Sequence, residues 1–232
     1  MRLTPLLALT TLACVHAPPT PRPLPLEVRW FRNSAEYRAI TLQTYRLAAE
    51  HLPMLIRGVP AGTWGVILDV DETVLDNSAY QVRRAAVDSG YTDASWDIWL
   101  RSRASVAIPG AVGFTERVHA LGGRVVLVTN RLETFCPETR ENLAHEHIAA
   151  DLVLCAPPDQ RNDKNPRFQR VLAGTAGLPP LTIVEWIGDN IQDFPGLKQD
   201  VRDTPAALND FGMRFFVLPN PMYGSWTTNT SP

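Results

Sequence analysis

Long runs of one charge are missing from this 232-residue chain, in which 22 Lys and Arg stand against 24 Asp and Glu for a formal net charge of −2. Without a basic block it lacks the electrostatic footprint of a protein that binds nucleic-acid polymers. The apolar run at the N-terminus is too short to cross a bilayer as a helix. No segment repeats itself. No serine sits in a nucleophile elbow, and no glycine-rich loop ends in Gly-Lys-Ser or Gly-Lys-Thr to cradle phosphates. His145 and His147 are two apart rather than at the i, i+4 spacing that puts two ligands on one helix face, so they are read as surface or structural residues. Cysteine is scarce, at three residues. With 45% hydrophobic and 20% charged residues, the chain can bury one substantial core and carry an insertion.

What is present is organised around Gly65-Val66-Ile67-Leu68-Asp69-Val70-Asp71-Glu72-Thr73-Val74-Leu75. A short apolar run empties into two aspartates separated by one residue, the pattern of a buried strand ending in a polar loop. Carboxylates this close repel, so one keeps its proton to higher pH unless a cation sits between them. The pair therefore offers an ionised nucleophile and a protonated acid.

Residues 1–14 read as a short signal peptide with one positive charge, an apolar middle and a small residue before Cys14. The segment is similar to a bacterial lipobox, which implies a lipid anchor on Cys14 and a place outside the cytoplasm, in the periplasm or on the outer membrane. Residues 15–28 are proline-rich and read as a stiff, extended tether. With Cys14 consumed, Cys136 and Cys155 remain, either as a disulfide or as two buried thiols.

The folded domain is expected over 29–232. A helix starts near Asn33 or Ser34 as N-cap, with Glu36 in its first turn, and runs to about Leu52 before Pro53 breaks it. Residues 77–108 look helical and inserted, and are read as a small cap over the site. Beyond them, helices alternate with the strand-like runs Arg124–Arg131, Leu152–Cys155 and Leu181–Ile187. That alternation predicts an α/β fold with a mainly parallel sheet, helices on both faces, and an N-terminal helical extension. Ligands in such sheets bind where the strands end.

Four polar elements stand at or just beyond strand ends: Asp69-x-Asp71, Thr129-Asn130, Lys164, and Asp189 with Asp193. Together they resemble the four motifs of the haloacid dehalogenase superfamily. Asp69-Val70-Asp71-Glu72-Thr73-Val74-Leu75-Asp76-Asn77, Val128-Thr129-Asn130-Arg131, Gly188-Asp189-Asn190 with Asp193-Phe194, and Leu218 to Trp226 are similar, more narrowly, to bacterial class C acid phosphatases, lipoproteins that act on nucleoside monophosphates.

The resemblance implies hydrolysis of phosphate monoesters, nucleoside 5′-monophosphates in particular, through an aspartyl-phosphate. Asp69 would be the nucleophile, and Asp71 the acid and then the base. Mg²⁺ would be held by Asp69, the backbone carbonyl of Asp71 and Asp189, with Asp193 supporting that shell. Thr129, Asn130 and Lys164 would bind the phosphoryl group, and Trp96 and Tyr223 would flank the base. Two other functions stay open: phosphotransfer to an acceptor other than water, and ligand binding by a surface lipoprotein without catalysis. The retained acidic pair argues against the second. Pairing with a second copy of the chain is left open.

Overall fold

The computed structural model describes residues 23–229, so the signal-peptide reading, Cys14 and most of the tether lie outside the described residues. Two helices come first, α1 (Leu26–Asn33) and α2 (Ala35–Leu55), followed by strand β1 (Trp64–Leu68). A two-stranded ribbon, β2 (Leu75–Asp76) and β3 (Val106–Ala107), brackets helices α3 (Ser78–Ala86) and α4 (Asp93–Ser102). Then come α5 (Ala111–Ala120), β4 (Arg124–Leu132), α6 (Cys136–His145), β5 (Leu152–Ala156), α7 (Asn165–Leu172), β6 (Thr182–Gly188) and β7 (Phe215–Val217).

The main sheet is parallel throughout, in the order β5-β4-β1-β6-β7. All five residues of β1 are buried, as expected for the central strand of a sheet covered on both faces. One face packs Val66, Leu68, Val125 and Leu127 against Tyr45, Ala48 and Leu52 of α2 and Phe114 and Val118 of α5. The other packs Ile67, Val126 and Trp186 against Phe168 and Val171 of α7. After β5 the chain crosses back over β1 to begin β6, so strand order reverses beside β1. A crevice opens at that point, at the carboxyl ends of the strands.

The sequence reading needs three corrections. The proline-rich composition predicts a tether through residue 28, yet Leu26–Asn33 is helical with Pro25 at its N-cap. Proline suits the entry to a helix because the N–H it lacks has no intrahelical partner there. Ser34 then caps a second helix, its hydroxyl accepting the Tyr37 N–H at 3.0 Å. Pro53 does not end α2, which runs to Leu55 with the proline in its last turn. The third is β7, a short edge strand that the pattern of apolar runs does not predict.

Cys136 and Cys155 form a disulfide, their Cα atoms 5.9 Å apart, joining the start of α6 to β5. Among the described residues no helix is long and apolar enough to cross a membrane.

Candidate active site

The floor of the site is the turn that follows β1. Asp69 stays in register with the sheet, its N–H donating to the Ile187 carbonyl at 3.0 Å. The chain then closes on itself, with the N–H groups of Val74 and Leu75 both donating to the Val70 carbonyl. Glu72 takes φ 55° to complete the turn. Tyr45 of α2 donates its hydroxyl to the Thr73 carbonyl at 2.8 Å and pins the turn from below.

Asp189 and Asp193 arrive from the end of β6. Carboxylate oxygens of Asp69, Asp189 and Asp193 lie within 4.8 Å of one another. Lys164, at the entry to α7, is 4% exposed, and its ammonium bridges Asp69 and Asp193, at 2.6 Å from Asp193 Oδ1. The other oxygen of Asp193 accepts the Asn190 N–H at 2.9 Å. This fold-back needs glycine at 188, because a Cβ there would lie 2.3 Å from Asp193. Asp189 is oriented by Asn220, which donates to Oδ2 at 2.8 Å, and by the Thr73 hydroxyl, 3.3 Å from Oδ1.

Charge at this floor is unbalanced. Burial above all, and then the carboxylates of Asp193 and Asp71, push Asp69 up to about 7 despite the opposing Lys164. Burial followed by Asp193 and Asp69 holds Asp189 well above the usual carboxylate range. Burial alone would depress Lys164, yet Asp193 and Asp69 outweigh it and hold the ammonium charged. Three carboxylates facing one ammonium are an oxygen-rich donor set with surplus negative charge, which fits a hard divalent cation.

Above the floor lies a cavity of about 570 Å³ lined by Asp69, Asp71, Asn130, Lys164, Asp189 and Asp193 below, and by Trp96 and Tyr223 higher up. Eight of the nine site residues named from sequence line this cavity, and one distinction separates two neighbours. Asn130 lines the cavity, whereas Thr129 is fully buried behind it, its hydroxyl accepting the Arg131 N–H at 3.1 Å.

Sequence reasoning missed several contributors. Tyr80 and Tyr91 join Trp96 in an aromatic wall, with ring centroids 5.1 Å and 6.2 Å from it. Arg161 binds the Tyr91 hydroxyl at 2.8 Å and so ties the loop after β5 to the cap. Arg167 is fully buried and donates to the Thr129 carbonyl, the Asn130 side chain and the Asp163 carbonyl, fastening the end of β4 to the segment that carries Lys164. Arg131 forks onto Asp71. Only the run Val128 to Arg131, where an arginine follows the strand-end polar pair, hinted at any of these.

An aspartate pair after the central strand, a lysine and two further aspartates from later strands, and a helical cap over a parallel sheet define the haloacid dehalogenase architecture. Residues 22–226 match the family described as HAD superfamily, subfamily IIIB (Acid phosphatase), and the chain belongs to that family. Among solved structures, the class C acid phosphatase from Bacillus anthracis is 28% identical, with a TM-score of 0.76 over 87% of this chain and 85% of that one. A second structure of that protein, with tungstate bound, matches equally well. Acid phosphatase 1 of Solanum lycopersicum is 27% identical over 159 residues, 68% of this chain. The match spans 57% of the tomato protein's own length.

Proposed function

We propose that the protein is a Mg²⁺-dependent acid phosphatase that hydrolyses phosphate monoesters, with nucleoside 5′-monophosphates as its preferred class. The observation that carries this reading is the placement of Asp69, Lys164, Asp189 and Asp193 on one cavity floor, three carboxylates within 4.8 Å and an ammonium between two of them.

An oxygen of Asp69 attacks phosphorus in line as the bond to the leaving oxygen breaks, and the phosphoryl group passes to the enzyme. Asp71 gives its proton to the departing alkoxide. It then takes a proton from the water that attacks the aspartyl-phosphate, freeing phosphate and restoring Asp69. Lys164 offsets charge on the phosphoryl oxygens, and Asn130 and the backbone after Thr129 bind them. Asp69, Asp189 and the Asp71 carbonyl would hold Mg²⁺, with Asp193 supporting them. The bound ion would supply the positive charge that keeps the carboxylates ionised beside an anionic substrate. Tungstate in the Bacillus anthracis relative is a tetrahedral oxyanion of phosphate-like shape, which supports a phosphoryl site here.

Trp96 and Tyr223 offer flat faces to a nucleobase, and stacking of this kind tolerates any base. A place outside the cytoplasm, with a lipid on Cys14, is supported by the lipobox-like leader and by the Cys136–Cys155 bond, which persists in oxidising compartments. Mass analysis of the N-terminal peptide for a diacylglyceryl group tests the anchor.

The test of the activity is a phosphate-release screen of nucleoside monophosphates, dinucleotides, sugar phosphates and aryl phosphates, with Mg²⁺ present or chelated. Metal-dependent release that favours nucleoside monophosphates is expected. No release from any monoester would refute the reading, and transfer to an added alcohol outpacing hydrolysis would reassign it as a phosphotransferase.

A further inference from the structure

Asp71 is held by a network that the chemistry above leaves unused. Arg131 is 3% exposed and turns its guanidinium onto the carboxylate, with Nη2 at 2.7 Å and Nε at 3.0 Å from Oδ1, and Nε at 3.2 Å from Oδ2. The guanidinium is itself fixed by the Thr139 hydroxyl and the Asn77 carbonyl oxygen, both at 3.3 Å, and lies 6.0 Å from the centre of the Trp96 ring. Asn77 is fully buried and donates to Asp71 Oδ1 at 2.8 Å. Its carbonyl oxygen accepts from the Trp99 indole at 2.8 Å and the Ser105 hydroxyl at 2.6 Å.

Building on the phosphomonoesterase reading, we propose that Arg131 and Asn77 are positioning residues for Asp71. They saturate Oδ1, leave Oδ2 to carry the catalytic proton, and tie that orientation to the seating of the cap. Oδ1 accepts three hydrogen bonds and Oδ2 one, so the less occupied oxygen is the one free to exchange a proton with the cavity. In the first half-reaction the proton on Oδ2 passes to the leaving oxygen as its bond to phosphorus breaks. In the second, Oδ2 receives the proton of the attacking water.

A planar fork sets the rotation of a carboxylate in a way that a single ammonium cannot. A buried ion pair of this kind contributes little net stability, so its presence at the cavity wall needs another reason. Asn77 supplies the link to the cap, because Trp99 on α4 and Ser105 before β3 bind the same carbonyl oxygen that faces Arg131. A cap seated differently would therefore turn Asp71.

The test compares leaving groups in the first turnover. An alkyl phosphate departs as an alkoxide that needs a proton, whereas p-nitrophenyl phosphate departs as a stable phenolate that does not. With Asp71→Asn as the reference pattern, Arg131→Lys should slow alkyl release by about 10²-fold and p-nitrophenolate release by under about threefold, the signature of lost acid catalysis. Trp99→Phe keeps an aromatic side chain and removes the donor to Asn77, and should give a smaller selective loss of the same kind. Equal slowing of both substrates in both variants would make the network structural and overturn the proposal. If Arg131→Lys does not fold, as read by circular dichroism, the selectivity of Trp99→Phe decides alone. Wild-type protein with no Mg²⁺-dependent release from either ester would instead overturn the phosphatase reading itself.

Discussion

Asn220, on the loop beyond β7, donates its side-chain amide to Asp189 Oδ2 at 2.8 Å, across 31 residues of sequence. A ligand carboxylate oriented in this way binds metal better than one free to turn. Replacing such a partner typically costs 10- to 100-fold in affinity, so Asn220→Leu should raise the Mg²⁺ concentration needed for half-maximal activity by roughly that factor. The rate at saturating Mg²⁺ should change little. An unchanged Mg²⁺ requirement would remove Asn220 from the metal site.

Asp69→Asn should lower turnover by roughly 10⁴-fold or more, since loss of a nucleophile leaves only binding and electrostatic contributions. The fold should survive, because Lys164 keeps its bond to Asp193. Steady-state phosphate release together with thermal unfolding checks both halves. Substantial activity in a folded variant would rule out Asp69 as the nucleophile.

Chelation should abolish turnover reversibly and lower Tm. The floor gathers Asp69, Asp189 and Asp193 with a single ammonium among them, so a cation that binds only the folded state stabilises it by mass action. At 100 times Kd the gain is about 2.7 kcal/mol. Differential scanning fluorimetry across a Mg²⁺ titration, with Ca²⁺ for comparison, reads it. A Tm independent of divalent cations would count against the site.

Glu185 on β6 is fully buried, and neither of its oxygens has a hydrogen-bond partner among the described residues. Burial pushes it from 4.5 to about 9. Between those values the unfolded chain has released the proton and the folded one still holds it. Stability from this group is therefore intact below pH 4.5, falls as pH rises, and levels off above about 9. Glu185→Gln removes the penalty and should stabilise the protein at pH 7 by up to roughly 3 kcal/mol, with no gain near pH 4. Equal Tm values for variant and wild type at pH 8 would contradict this.

Replacing Cys136 and Cys155 together with alanine should cost about 3 kcal/mol, the chain entropy released by opening a loop of this size. Denaturant unfolding gives the number. The bridge joins the segment following Arg131 to the strand leading towards Lys164, so kcat should fall as well. A double variant of native stability would show that the bridge constrains little.

The sheet and the floor of the site were legible because each rests on a local signal. Apolar runs ending in Asp69, Thr129 or Asp189 announce buried strands and their polar mouths, and the order of the motifs led to Lys164. What was hidden is made by side chains distant in sequence. Asn77 meets Trp99 across 22 residues and Arg131 across 54, and Arg167 reaches Thr129 across 38. No periodicity carries such pairings. Arg131 stood in plain view beside Asn130, but its task depends on β4 lying next to β1. The composition of the tether concealed α1, because the prolines before Leu26 suggested an extended chain that in fact becomes helical at once.

Tyr45 reaches from α2 to the turn that carries Asp69 and Asp71, and Arg32 of α1 reaches the Ser78 hydroxyl at 2.7 Å. The leading helices thus brace the turn that carries the acidic pair. A soluble recombinant form trimmed past Leu26 in the belief that only a leash was being discarded would lose part of the scaffold beneath Asp69.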